Sequence, residues 1–218
     1  MPYQVILVGA SGLIGSNLLS LLIESDEISR ILLLVRKPLK VSNQKVQELI
    51  VNFDELEKYS PEIRGDIIYS CLGTTKAASP DKKLYRKIDL EYPIKLAEIG
   101  VKNGISQFHL VSSLDANAAA SNSYLKLKGE LEKELKKIAI ISLHIYQPSL
   151  LTGNRIESRT AEKIAISAFK LIDPFLRGPL KKYRSIKAET VAQAMLNQSL
   201  KNLKGTFTYP SILIQELA

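Results

Sequence analysis

The feature that most constrains this chain is a glycine-rich turn set between two apolar stretches of different period. Val5-Ile6-Leu7-Val8 is a continuous apolar run, Gly9-Ala10-Ser11-Gly12-Leu13-Ile14-Gly15 follows, and Leu18, Leu19, Leu22 and Ile23 then recur at helical spacing. The pattern predicts a buried strand, a tight turn and a helix. In that setting glycines let backbone N–H groups and the helix N-terminus come up to a phosphate, because no side chain blocks the approach. The spacing is Gly-x-x-Gly-x-x-Gly rather than the Gly-x-Gly-x-x-Gly of most dinucleotide-binding dehydrogenases. Three glycines alone also fit a tight turn that binds nothing; the strand and helix on either side are what point to a dinucleotide. Gly9, Ser11, Gly12, Leu13, Ile14 and Gly15 are therefore the first candidate cofactor contacts.

Short apolar runs and helical patterns alternate through the first two-thirds of the chain. Strands are expected at 4–8, 30–35, 48–53, 66–71, 107–111 and 139–146, with helices at 13–24, 82–103 and 122–137. Such alternation predicts an α/β fold, a Rossmann-like doubly wound parallel sheet. Right-handed crossovers then gather ligands at the carboxyl ends of the strands. After Pro148 the pattern changes: helices at 158–172 and 189–201 flank Asp173-Pro174 and Gly178-Pro179. Residues 1–218 thus read as a single NAD(P)-binding domain, in which 149–218 form a small C-terminal lid or cap on the substrate side, too short for an independent domain.

Composition narrows the class. A chain of 218 residues with 45% hydrophobic and 24% charged residues fits one ordinary globule. The single cysteine, Cys71, excludes an internal disulfide. No apolar run approaches the about 18 residues of a membrane span, and no basic segment precedes the first apolar run, so a cytoplasmic protein with no membrane partner is expected. The net charge of +8 is scattered, with clusters at 133–137, 181–184 and 201–204. Glutamates interleave with the first cluster, and Glu132 and Lys136 have the spacing of a solvated helix pair. No basic stripe with interleaved aromatics is present, which argues against a nucleic-acid partner.

Three residues suggest chemistry. Val111-Ser112-Ser113 ends a predicted strand, and Tyr124-Leu125-Lys126-Leu127-Lys128 follows on a predicted helix. Residues i and i+4 share a helix face, so the Tyr124 phenol and the Lys128 ammonium can point into one cleft. A neighbouring ammonium favours phenolate, and such a tyrosine can exchange a proton with a carbonyl or alcohol. Ser113 can hydrogen-bond the same oxygen. The catalytic candidates are Ser113, Tyr124 and Lys128, with Lys128 also placed to touch a ribose. A second Tyr-x-x-x-Lys, Tyr183 to Lys187, lacks a serine-ended strand shortly before it.

The second strand ends Leu34-Val35-Arg36-Lys37, where NAD enzymes usually carry an acidic residue for the ribose hydroxyl. Arg36 and Lys37 instead suit the extra 2′-phosphate of NADP, unless both are merely solvated. Gly73 and Thr74, at a later strand end, can pass close to the nicotinamide half or simply start a helix. His109 and His144 sit in apolar strand patterns without metal-ligand spacing, and read as core residues. No metal site is expected. Cys71 reads as a buried strand cysteine. Arg155 and Arg159 can line an anionic pocket or pair with Glu157 or Glu162 on a surface helix.

Gly9–Gly15, Ser113, Tyr124 and Lys128 together resemble the short-chain dehydrogenase/reductase superfamily, in its atypical or extended branch. More closely, the chain is similar to the Tat-interacting-protein-like oxidoreductases. The matching segments are 71–76, 85–89, 108–113, 124–130 and 147–159, in the family's order. The resemblance implies a Rossmann-like sheet, NADP(H) binding and a Ser–Tyr–Lys site. It also implies cofactor contacts at Asn52, Phe53, Cys71, Leu72 and Pro148. Three positions depart from the family pattern. Asn52 stands where relatives commonly have Asp against the adenine, Gln147 replaces an arginine, and Asp115 stands where glycine is frequent. Asn52 can still accept and donate hydrogen bonds. The expected activity is hydride transfer to or from a small carbonyl or alcohol substrate. The competing reading is an NADP(H)-binding sensor that acts through a protein partner without turnover. A nucleotide-sugar epimerase or dehydratase is disfavoured by the short tail.

Overall fold

The computed structural model describes residues 2–74, 81–153, 176 and 178–218. Its centre is a seven-stranded sheet in the order β3-β2-β1-β4-β5-β6-β9. The strands are β1 (Tyr3–Val8), β2 (Ile28–Val35), β3 (Val46–Ile50), β4 (Ile67–Ser70), β5 (Gln107–Val111), β6 (Ser142–Gln147) and β9 (Gly205–Pro210). Every adjacent pair in this sheet is parallel. All carboxyl ends therefore lie along one edge. The chain order reverses between β1 and β4, which opens the crevice where ligands of such sheets bind. Two short strands, β7 (Leu151–Thr152) and β8 (Ile186–Lys187), pair separately.

Alternation along each strand builds a core on both faces. From β1, Val5 and Leu7 pack with α1 (Leu13–Glu24) and α5 (Ala188–Ser199) through Leu18, Leu22, Val191 and Met195. Ile6 and Val8 point the other way, into a cluster with Leu96 of α3 (Tyr92–Lys102) and Leu127 and Leu131 of α4 (Ser123–Leu135). The helix expected at 82–103 is a continuous run with an interruption. α2 (Lys82–Arg86) passes through a π turn, Lys87–Glu91, into α3.

Boundaries moved where capping and pairing decide them. The strand expected at 48–53 is β3, which ends at Ile50; the Asn52 side chain accepts from the Asp54 N–H and starts a 3₁₀ turn, Phe53–Tyr59. The apolar Ala139-Ile140-Ile141 run is not strand; pairing begins at Ser142, whose N–H donates to the Ser106 carbonyl. The expected helix at 158–172 lies outside the described residues. Parts of the tail join the main body. β9 extends the main sheet beside β6, α5 packs on α1, and α6 (Ser211–Leu217) follows. Pro210 lacks an N–H to donate, and its strand lies at the sheet's edge, where that is tolerated. Among the described residues no helix is long and apolar enough to cross a membrane.

The two histidines are core residues. Their rings stack 4.3 Å apart between the sheet and α5. His109 bonds Tyr146 OH at 3.1 Å and Gln107 Oε1 at 3.1 Å; His144 bonds Tyr209 OH at 2.9 Å and Ser142 Oγ at 2.8 Å. Burial lowers the pKa of both, that of His144 to about 4, with the neighbouring ring adding to the effect on His109. A charged imidazole there would lose its hydration for neutral partners. Among the described residues no cluster could hold a metal ion.

Candidate active site at the carboxyl edge of the sheet

The three glycines of the first turn divide the work. Gly9 has φ +79°, and a Cβ there would lie 2.4 Å from the Cys71 carbonyl oxygen. A Cβ on Gly15 would lie 2.1 Å from the Gly9 oxygen. Both are glycine because backbone packs against backbone. Gly12 differs: it is exposed, its backbone is extended, and an added Cβ would meet only the Gly9 oxygen, at 3.2 Å. Gly12 is also the residue before α1, which has neither a side-chain cap nor an acidic residue in its first turn. The turn thus offers an uncapped helix N-terminus facing open space at the crevice. That arrangement fits the pyrophosphate of a dinucleotide. Ser11 and Leu13 border the opening, while Ile14 is buried beneath it.

Beyond the glycine turn, the next two strands end at the same edge of the sheet. Arg36 and Lys37 follow β2, exposed, with no ion-pair partner among the described residues. Asn52 and Phe53 follow β3. The Asn52 side-chain oxygen accepts from the Asp54 N–H at 3.1 Å, and its side-chain amide donates to the Glu55 carboxylate at 3.3 Å. Phe53 is buried, its ring 5.4 Å from that of Tyr92, so it forms the floor of this end.

Cys71, Leu72, Gly73 and Thr74 leave β4 beside the glycine turn. The Cys71 N–H still donates to the Val8 carbonyl at 3.0 Å, so the residue continues the sheet just past the strand. It is half-buried, and burial pushes its thiol up to about 12, which leaves no nucleophilic thiolate.

Lys128 reaches this turn from α4. Its ammonium lies 2.9 Å from Asp89 Oδ1, and the side chains are 4% and 1% exposed. The contact is an ion pair rather than an aligned hydrogen bond, since Asp89 Oδ1 has no hydrogen-bond donor among the described residues. Asp89 Oδ2 accepts the Thr74 N–H at 3.0 Å. A Cβ on Gly73 would sit 3.7 Å from Asp89 Oδ1 and 3.9 Å from Lys128 Nζ, so Gly73 lies directly over the pair. Burial works against the Lys128 charge, but Asp89, then Tyr124 and Glu132, outweigh it and hold its pKa above the ordinary lysine value. Tyr124 lies one turn earlier on α4 and is half-buried. α4 starts where the Asn122 carboxamide accepts from the Tyr124 and Leu125 N–H groups. Ser113 follows β5, and among the described residues its hydroxyl makes only a 3.4 Å contact with the Leu114 carbonyl. Its loop is tied to the rest of the edge. Leu114 N–H donates to the carbonyl of buried Pro148, and Asn117 N–H donates to the Leu125 carbonyl of α4.

Two buried carboxylates were not legible as such in the sequence. One is Asp89. The other is Glu132, which is no solvated partner of Lys136. It is 5% exposed and accepts from Ser112 Oγ and from Gln147 Nε2, the latter at 2.9 and 3.1 Å. Glu132 thereby joins α4 to the ends of β5 and β6. Asp115 adopts φ +59°, the left-handed region that favours glycine, and pairs with Lys182 at 3.1 Å across the mouth.

The second Tyr-x-x-x-Lys does not form a site. Tyr183 ends a 3₁₀ turn, Gly178–Tyr183, and Lys187 ends β8, so the two share no helix face. Thr75, Lys76, Arg155 and Arg159 lie outside the described residues.

Comparison with known proteins follows the same lines. The sequence pattern of the NAD dependent epimerase/dehydratase family matches residues 5–206. The rat protein HTATIP2 is 32% identical over 199 residues, covering 89% of this chain and 80% of its own. The Aspergillus fumigatus mitochondrial protein fmp52 is 29% identical over 209 residues, 93% of this chain and 89% of its own. Among solved structures, MoeE5 in complex with UDP-glucose and NAD superposes with a TM-score of 0.70 at 14% identity, covering 94% of this chain and 75% of that one. The UDP-N-acetylglucosamine 4-epimerase of Methanobrevibacter ruminantium gives 0.71 at 13% identity, covering 96% and 76%. At those identities the likeness is one of fold. With its parallel sheet, its glycine turn and a family match that spans most of its length, the chain belongs to the NAD dependent epimerase/dehydratase family.

Proposed function

We propose that this protein is an NADP(H)-dependent oxidoreductase acting on a small carbonyl or alcohol, with Tyr124 as proton donor and acceptor. One observation carries the reading. The Lys128 ammonium, one turn after Tyr124 on α4 and under its electrostatic influence, lies at the Gly73–Thr74 turn, which supports a phenol and an ammonium acting together there. Family membership and the uncapped start of α1 support a dinucleotide. Arg36 and Lys37 support NADP over NAD, since neither is neutralised by an acidic neighbour among the described residues.

A bound nicotinamide would supply the hydride. The residues supply position and proton. Ser113, with its hydroxyl only weakly engaged, donates to the substrate oxygen. Tyr124 delivers or removes that oxygen's proton. Lys128 favours the phenolate form by its charge and, lying beside Gly73, would hold the ribose of a bound dinucleotide.

Loss of NADPH absorbance with a panel of aldehydes and ketones tests this. Tyr124→Phe keeps the ring and removes the proton, and is expected to lower turnover about 100-fold or more with NADPH binding nearly unchanged. Tyr183→Phe is expected to be silent. Tight NADPH binding without turnover of any compound would favour the sensor reading; an active Tyr124→Phe would overturn the catalytic assignment.

A further inference from the structure

The proposed chemistry needs Lys128 as an ammonium, yet Lys128 is among the most buried charges in the chain. A lysine in such surroundings ordinarily gives up its proton near neutral pH. We propose that Asp89 is the positioning residue that keeps Lys128 protonated and holds it against the Gly73–Thr74 turn.

The argument is geometric. The two oxygens of Asp89 serve two different elements: Oδ1 lies 2.9 Å from Lys128 Nζ, and Oδ2 accepts the Thr74 N–H at 3.0 Å. One carboxylate thereby joins α4 to the end of β4. Asp89 can do this because it stands in the middle of the π turn Lys87–Glu91. A π turn inserts an extra residue into a helix, shifts the side chains that follow, and recurs at functional sites. Its neighbours Arg86 and Lys87 instead reach outward, to Glu130 and Asp54.

Among the described residues other groups do not substitute. Facing Lys128 from its own helix are Tyr124 and Glu132. Glu132 has both oxygens engaged by Ser112 and Gln147. From the α2 side, Tyr85 faces Asp89 and Tyr124; burial, then the Asp89 charge, raises its hydroxyl pKa, so it carries no charge of its own. From the Gly73–Thr74 turn, the Thr74 N–H donates to Asp89.

Lysine side-chain NMR titration of the cofactor-free protein tests the inference without relying on the proposed function. Lys128 is identified by its absence in Lys128→Met. In the wild type its midpoint is expected above the ordinary 10.5. Asp89→Asn retains an acceptor for the Thr74 N–H but removes the charge, and is expected to lower the midpoint by about two units or more. Midpoints that agree within a few tenths of a unit would overturn the proposal. If Asp89→Asn does not fold, the pair Asp89→Asn/Lys128→Met decides. Recovery of folding when both charges are gone supports a carboxylate present for the ammonium; equal failure overturns it and leaves the Thr74 bond as its role. A second readout rests on the dinucleotide reading. NADPH affinity of Asp89→Asn is expected to fall tenfold or more between pH 7 and 9.5, while the wild type and the double variant stay flat. A flat Asp89→Asn profile counts against the proposal. No NADPH binding by the wild type would defeat the proposed function, with the NMR midpoints still deciding the role of Asp89.

Discussion

At the scale of single residues, the contacts that matter are short and chemically specific. Arg36 is exposed at the end of β2 with no ion-pair partner among the described residues, and a guanidinium can grip a phosphate through two charge-assisted hydrogen bonds. Arg36→Ala is expected to weaken NADPH binding about 10- to 100-fold and to leave NADH nearly unchanged, as read by parallel titrations; hydrogen bonds to charged groups carry that much. Equal losses for both cofactors would remove Arg36 from the 2′-phosphate. The placements legible in sequence were those that follow from local spacing. Gly9 to Gly15 lie on one turn, and Tyr124 and Lys128 lie four apart on one helix. Asp115 was noted as a departure from glycine, and it adopts φ +59°, the left-handed region that favours glycine. Asp89 and Glu132 were not legible. A carboxylate in a helical pattern reads as solvated unless its distant partners are known, and those of Asp89 are Thr74 and Lys128, those of Glu132 Ser112 and Gln147.

At the scale of elements, the site depends on how closely α4 approaches the edge loops. A Cβ on Gly129 would fall 2.2 Å from both Ala118 N and Asn117 C, backbone atoms of the loop after Ser113. Helix propensity favours alanine over glycine by about 1 kcal/mol. Overpacking against backbone costs about 1–3 kcal/mol or more, so the clash decides the sign. Gly129→Ala is expected to lower the thermal midpoint and to reduce any turnover with it, since α4 carries both Tyr124 and Lys128. A raised midpoint would show that the loop yields freely. Elements with strong periodicity were legible: β5 and α1 begin and end where expected. β9 was missed. Its Gly205-Thr206-Phe207-Thr208-Tyr209-Pro210 has the β-branched and aromatic residues of a strand, but only its pairing with β6 distinguishes it from an extended tail.

At the scale of the whole molecule, the sheet that aligns the site also buries a pair of histidines whose protonation opposes folding. Both have depressed pKa values in the folded state, His144 at about 4 against 6.5 unperturbed. The unfolded chain therefore binds protons first as pH falls. Stability from this pair is full above about pH 6.5 and is lost progressively toward pH 4. Chemical denaturation across that range is expected to show the fall, and His144→Gln or His109→Gln to flatten it; an unchanged slope would place the acid sensitivity elsewhere. The central claim is that one edge of this sheet is a dinucleotide site entered over Gly12. Its most direct test is titration of Gly12→Val with NADPH. The Gly12 backbone is extended and an added Cβ would meet only the Gly9 carbonyl oxygen, at 3.2 Å, so the variant is expected to fold with a shift of a few tenths of an ångström in the turn. The account predicts that NADPH binding is lost in that folded variant, because the new side chain stands where the pyrophosphate meets the start of α1. Wild-type affinity in folded Gly12→Val would contradict it.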